Sequence, residues 1–333
     1  MAGKLPPMKI LIIDDDPIAI DLLRDCLSEA GYTDLTCVTS ADAGELHIRN
    51  KLEHFDCFLL DISMPGKSGI EICAEIRKTT RYRYTPILMI TRLAERSSIR
   101  AAFQNGASDY ITKPFEYFEV IARINIAQRL AATRAKENAD PLVIDPTPKA
   151  GSSEQYPGSF LRKIDTLIDQ ESLSLERDGV LPMFVFKNYL ERITRVETCA
   201  IEVFGIKVED IEDHFGRIDP ANFIRFIGAL NTSVKEFTGI DSAFMTHVGE
   251  GLFLCAADGA NVSSVDKIER GVSECFDRRL SKAVPGYTRR VELTSSEPLH
   301  LLTASRPNFN RLIKVMRTRV NLRQSDKMSS VGA

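Results

Sequence analysis

No stretch of this 333-residue chain approaches the roughly 18–20 apolar residues that a membrane-crossing helix needs, so no membrane span is expected. The opening MAGKLPPMKILIID has no long apolar h-region with a small-residue cleavage site. No signal peptide is therefore expected, and the predicted location is cytoplasmic. The seven cysteines (26, 37, 57, 73, 199, 255 and 275) never form a C-x-x-C pair, which argues against zinc ligation. Five of them fall inside apolar runs or helical patterns and read as packed free thiols in a reducing compartment. Strong charge is also missing. With 43 Lys and Arg against 46 Asp and Glu the net charge is −3, which gives no electrostatic case for binding nucleic acid or a membrane. The second half shows no helix-turn-helix pattern and no strongly basic face, so DNA binding is not expected. What is present is ordinary globular composition, 44% hydrophobic and 27% charged, in a chain long enough for two domains.

Short apolar runs alternate with helical patterns over the first 125 or so residues. KILII (9–13) reads as a buried strand; Asp14-Asp15-Asp16-Pro17 then reads as a helix start, with Pro at the first helical position. Ile18, Leu22, Leu23, Cys26, Leu27 and Ala30 recur at helical spacing, and Gly31 stops that helix. Strands are predicted at 37–40, 57–60, 86–91 and 109–113, with helices over 41–50, 69–79, 94–105 and from Phe115 onward. Such alternation predicts an α/β fold, a doubly wound five-stranded parallel sheet with helices on both faces.

Ligands of open parallel sheets sit beyond the carboxyl ends of the strands. Those ends carry Asp14-Asp15, Asp61, Thr91 and Lys113, so all of them converge on one edge. Three carboxylates there repel one another unless a cation sits among them, and a hard divalent ion such as Mg²⁺ takes oxygen ligands. A Lys and a Thr hydroxyl nearby would serve an anion. That inventory suits phosphoryl transfer, with Asp61 as a carboxylate nucleophile. Each group alone has a plainer reading: Asp14 to Asp16 as a helix cap, Thr91 as turn chemistry, Lys113 as a solvated charge. The plainer readings weaken when all are taken together at four strand ends.

The pieces IIDDDP, LLDISMPGKSG, ILMITR and DYITKPF occur in order, and residues 8–130 resemble the receiver domain of two-component response regulators. The resemblance implies that Asp61 accepts the phosphoryl group. It also implies that Asp14 and Asp15 help to hold Mg²⁺ with Asp61 and the Ser63 backbone carbonyl, and that Thr91 and Lys113 contact the phosphoryl group. Tyr110 matches the aromatic switch residue that moves inward when Thr91 engages phosphate. Pro114 stands where the family commonly has a cis peptide bond. A pseudo-receiver that keeps the fold without the chemistry is the competing interpretation.

The first helix-rich half is expected to end near residue 137 (domain 1–137), followed by a Pro-, Ser- and Gly-rich flexible linker (138–159) and a second domain (160–333) with an amphipathic linker helix to about 178. Beyond it the residues predict helices at 184–194, 207–215, 221–237, 262–281 and 307–322. Strands are predicted at 199–205, 242–248, 252–256 and near 289–293 and 299–304, an α+β pattern. The segments DGVLPMFVFKNYLERI (178–193), EDHFG (212–216) and THVGEGLFL (246–254) resemble the diguanylate cyclase (GGDEF) domain. Against that family the signature turn is altered to Val248-Gly249-Glu250-Gly251-Leu252, the metal-binding acids fall on Phe204 and Ile206, and the product-binding Arg-x-x-Asp falls on Gly239 to Ser242 without an Arg. Glu202 and Glu250 are the acids left, and a one- or two-residue shift of register could restore Glu202 as a ligand.

The expectation is therefore a response regulator, not an enzyme, taking phosphate on Asp61 from a histidine kinase or phosphotransfer protein. Its output would be dimerisation or docking of a catalytically inactive GGDEF-like domain on a downstream protein, without DNA or membrane. The rivals are a phospho-activated diguanylate cyclase and a non-catalytic guanine-nucleotide sensor. The cationic tail RLIKVMRTRVNLRQSDK (311–327) reads as a docked terminal helix in preference to a patch for an acidic partner or surface.

Overall fold

The computed structural model describes residues 8–92, 96–139, 164, 167, 168, 179–194, 201–239, 243–258, 264–301 and 308–331. The expected linker lies outside these residues except for its first two positions. So does the expected helix before residue 178, apart from Ile164, Leu167 and Ile168. The chain divides into two compact units, Met1–Ser153 and Glu154–Ala333.

In the first unit β1 (Ile10–Ile13), β2 (Leu35–Val38), β3 (Cys57–Asp61), β4 (Ile87–Thr91) and β5 (Asp109–Thr112) form one parallel sheet in the order β2-β1-β3-β4-β5. The helices are α1 (Pro17–Glu29), α2 (Ala41–Arg49), α3 (Gly69–Lys78), α4 (Arg96–Gln104) and α5 (Tyr117–Ala139). Side chains alternate across the sheet. Ile10, Ile12, Cys57, Leu59, Leu88, Ile90 and Ile111 pack with Ile20, Leu23 and Leu27 of α1 and Val120, Ile124 and Ala127 of α5. The intervening Leu11, Ile13, Phe58, Leu60 and Met89 are equally buried, so both faces are covered and the strands read as unbroken apolar runs. β2 lies two residues earlier than the predicted 37–40 because Ser40 is taken up as the cap of α2, its hydroxyl accepting from Ala43 N at 3.3 Å.

The second unit holds an antiparallel sheet. β6 (Ile201–Val208), β7 (Phe244–His247), β8 (Leu252–Asp258), β9 (Leu293–Ser295) and β10 (Leu299–Leu301) run in the order β10-β6-β8-β7, with β9 also pairing β6. The helices are α6 (Met183–Ile193), α7 (Ile211–Arg217), α8 (Pro220–Thr238), α9 (Val265–Ala283) and α10 (Phe309–Val331). Phe204, Ile206 and Val208 of β6 and Phe253 and Cys255 of β8 meet Phe223, Phe226, Ile227 and Leu230 of α8 and Ile268, Val272 and Phe276 of α9 in one core. Ile164, Leu167 and Ile168 join the same core.

Four predicted elements are displaced. β6 runs three residues beyond Gly205, because Ile206 and Val208 go on alternating into the core and pair with β8 and β9. The helix predicted at 207–215 accordingly begins at Ile211, after Asp210 turns the chain with φ of 50°. β9 starts at Leu293, since Arg289 and Arg290 are exposed. α10 runs nine residues past the predicted end at 322, held by cations on its own unit. Arg317 donates to Val248 O at 3.0 Å, Arg319 to Glu297 O at 3.1 Å and Lys327 to Leu293 O at 3.0 Å, and Arg323 pairs with Asp266. The cationic tail is a docked helix. Among the described residues, no helix is long and apolar enough to cross a membrane.

Candidate functional site

β3 delivers its last residue, Asp61, to the sheet edge beside Ile90, and β4 and β5 bring Thr91 level with Thr112. β1 ends one residue before Asp14. The oxygens of Asp14, Asp15 and Asp61 lie within 4.8 Å of one another, with Asp14 and Asp61 buried and Asp15 exposed. Lys113, one residue past β5, places Nζ 2.7 Å from Asp14 Oδ2 and 2.8 Å from Asp61 Oδ1. Its side chain is only 10% exposed, which excludes the solvated-charge alternative. Lys113 N donates to Thr91 O at 2.7 Å, so Thr91 and Lys113 are tied through the backbone. The Lys113–Pro114 bond is cis. Ser63 is exposed, and its N–H donates to Asp61 Oδ2 at 2.7 Å, fixing the carboxylate plane. Tyr110 is buried at 3% exposure and pairs with Met89 across the β4–β5 ladder.

Burial lifts the Asp14 carboxyl above the usual carboxylate range, with the neighbouring Asp61 charge acting in the same direction and the bonds from Lys113 and Asp16 N opposing it. Burial pulls the Lys113 ammonium the other way, but its bonds to Asp14 and Asp61 win and raise it above an ordinary lysine. One ammonium, paired with two of three clustered acids, leaves the pocket short of positive charge. A hard divalent cation fits that deficit and that all-oxygen donor set.

α3 comes close behind Asp61. A Cβ on Gly69 would stand 2.1 Å from Asp61 O, so only glycine lets the helix start there. Ser68 caps α3 in a reciprocal capping box with Glu71.

Lys67 and Arg92 were not singled out by sequence, and Asp16 was read only as part of a helix cap. Asp16 caps α1, accepting from Ile18 N at 3.0 Å through Oδ1, and its Oδ2 receives Arg92 Nη2 at 2.8 Å. Lys67, in the loop after Asp61, pairs with Glu45 of α2 and with Glu75 of α3. A signal for Arg92 existed: it is a cation directly after a polar strand end.

In the second unit Val248, Gly249, Glu250, Gly251 and Leu252 form the tight turn between β7 and β8. Val248 N donates to Leu252 O at 2.9 Å, and Leu252 N donates to Gly249 O at 3.0 Å. Gly249, Glu250 and Gly251 all have positive φ (93°, 56° and 73°); Glu250 is exposed, 4.0 Å from Arg317 Nη1. Phe204 and Ile206 are 0% and 1% exposed inside the core and offer no ligand atom. Glu202 is buried opposite His300, whose Nδ1 lies 3.2 Å from its Oε1. Gly239 caps α8 with φ of 67°, and residues 240–242 lie outside the described residues. The turn, Glu202 and the core positions do not assemble an acidic cluster. Among the described residues, the metal-ligating group found is Asp14, Asp15 and Asp61. All six described cysteines are free, and burial pushes the thiols of Cys57 and Cys255 far above the ordinary thiol range.

Residues 10–125 match the family model described as the response regulator receiver domain. The chain is 37% identical over 133 residues to the transcriptional regulatory protein ResD of Bacillus subtilis, covering 40% of this chain and 52% of that protein. It is 38% identical over 131 residues to the transcriptional regulatory protein KdpE of Staphylococcus aureus, covering 39% and 54%. It is 35% identical over 121 residues to the DNA-binding dual master transcriptional regulator RpaA of Synechocystis, covering 36% and 49%. The chain thus spans about half the length of these curated relatives. Among solved structures, the Thermotoga maritima response regulator DrrB, an OmpR/PhoB homolog, is 28% identical over 36% of this chain and 52% of its own, with a TM-score of 0.32.

Proposed function

Residues 10–125 form a response regulator receiver domain, and we propose that the protein works as a phosphorelay response regulator with Asp61 as its acceptor. The observation that carries this is one ammonium, Lys113, held 2.7 and 2.8 Å from the buried Asp14 and Asp61 at the edge where four strands end in polar groups. A histidine kinase or phosphotransfer protein donates the group. An Asp61 oxygen forms the new O–P bond while the donor's bond to phosphorus breaks and its electron pair leaves with the donor. Lys113, 2.8 Å from Asp61 Oδ1, offsets the added anion; Thr91 and Tyr110 form the switch. Asp14, Asp15, Asp61 and the Ser63 carbonyl would hold Mg²⁺, which when bound neutralises phosphoryl oxygens.

We propose further that the second unit is a GGDEF-like domain without catalysis, acting through protein contacts or dimerisation. The order of its elements and the Gly-Glu-Gly turn support this, and Phe204 and Ile206 stand where metal-binding acids would be needed. Light scattering with and without beryllofluoride, a mimic of the acyl phosphate, tests the output. The expected result is a change of oligomeric state in the wild type that is lost in Lys113→Ala. Cyclic di-GMP formed from GTP and Mg²⁺ would contradict the inactive reading.

The names of the relatives favour a second output, DNA binding, but the likeness spans only 36–40% of this chain. A gel-shift titration at stated salt separates the two; the protein-contact reading predicts no retardation beyond salt-sensitive background.

A further inference from the structure

We propose that Arg92 is a phosphodonor-recognition residue, held in reserve by Asp16 at the rim of the acidic pocket. This rests on the acceptor role of Asp61. Arg92 directly follows Thr91, whose carbonyl accepts from Lys113 N at 2.7 Å, so one backbone step separates it from a residue bonded to Lys113. Its guanidinium reaches across the mouth to the β1–α1 loop and meets Asp16 Oδ2 at 2.8 Å. Asp16 N in turn donates to Asp14 Oδ1 at 3.0 Å, so the pair is linked through one hydrogen bond to the Asp14–Asp15–Asp61 cluster.

The electrostatics give the pair a task. Four acids, Asp14, Asp15, Asp16 and Asp61, border an opening whose interior ammonium, Lys113, is already engaged by two of them. An incoming phosphoryl group is anionic, and before Mg²⁺ binds it meets more acids than cations. A planar guanidinium at the entrance matches phosphate oxygens two at a time. Arg92 is 70% exposed on its side chain and Asp16 is 27% exposed. Exposed ion pairs of this kind contribute little net stability, so exchanging the Asp16 carboxylate for a phosphoryl oxygen is cheap. The two oxygens of Asp16 divide the work: Oδ1 caps α1 and Oδ2 occupies Arg92. The donor class is therefore a small or protein-borne dianionic phosphoryl compound. With acetyl phosphate, the Asp61 oxygen forms its bond to phosphorus as the acyl O–P bond breaks and acetate leaves with the electron pair.

The test is the second-order rate of labelling by acetyl phosphate at fixed Mg²⁺, followed by intact mass across a series of salt concentrations. Arg92→Ala is expected to lower the rate about tenfold and to flatten its salt dependence, as removal of a steering charge does. Arg92→Lys should recover part of the rate and all of the salt dependence. Asp16→Asn keeps a capping side chain and should raise the rate by releasing Arg92. In the Arg92→Ala background the same change should do nothing, a coupling that a double-mutant cycle reads directly. A wild-type rate and salt slope in Arg92→Ala would overturn the inference, as would an Asp16→Asn effect of equal size in both backgrounds. A wild type that takes no label at all would instead overturn the acceptor role of Asp61, and this inference with it.

Discussion

At the edge of the parallel sheet Asp14 and Asp61 are 0% and 3% exposed and share Lys113; on β6 of the antiparallel sheet Phe204 and Ile206 are 0% and 1% exposed and packed in the apolar core. Buried carboxylates survive where a counter-charge and backbone donors are built around them, as Lys113, Ser63 N and Asp16 N are. Where no such partners exist, apolar side chains fill the space and add to the core. The one acid left on that face of β6, Glu202, has its own partner in His300 at 3.2 Å. The first unit keeps charge buried at its sheet edge, and the second packs Phe204 and Ile206 into an apolar core.

Placing an acid in the second core should break that contrast most severely. Phe204→Asp removes a fully buried ring and leaves a carboxylate without a partner, and about 4 kcal/mol or more of stability should be lost. The fingerprint is a collapse of the second unit's thermal transition while labelling of the first persists. Gly69→Ala should cost less, about 1–3 kcal/mol, since the new Cβ must push α3 away from Asp61 O. Its labelling rate should fall as well, because Asp61 moves with its carbonyl; denaturant melts and labelling measured together check both.

The smallest effect is one of pH. His214 is buried in the second unit, its Nδ1 bonded to Tyr287 Oη, and burial, with Arg289 adding to it, depresses its pKa below the ordinary 6.5. The unfolded chain therefore binds the proton more readily. Stability from neutral His214 is complete above about pH 6.5 and declines as pH falls below it toward the depressed folded value. His214→Gln should flatten that decline, read as midpoint against pH in urea.

How much was legible follows from where each element gets its stability. CFLLD and ILMIT are apolar runs that end in a polar residue, so the strands and their ends were readable locally. With four such ends known, the convergence of Asp14, Asp61, Thr91 and Lys113 followed from topology alone. Gly205 read as a stop, but β6 passes through it because Ile206 and Val208 bury on tertiary neighbours that a local window cannot show. The last turns of α10 depend on partners far along the chain, Asp266 among them, so its length was understated. The bridge from Arg92 to Asp16 spans 76 residues and was invisible for the same reason. Glu250, with φ of 56° at the tip of its turn, is a conformation that a flanking Gly249 and Gly251 hinted at without fixing.

The most direct measurement is peptide mapping by mass spectrometry after incubation with acetyl phosphate and Mg²⁺. One phosphoryl group should appear on the peptide carrying Asp61 and vanish in Asp61→Asn, which keeps the side-chain shape. Label that persists in that variant, or no label on the wild type with any donor, would contradict the account.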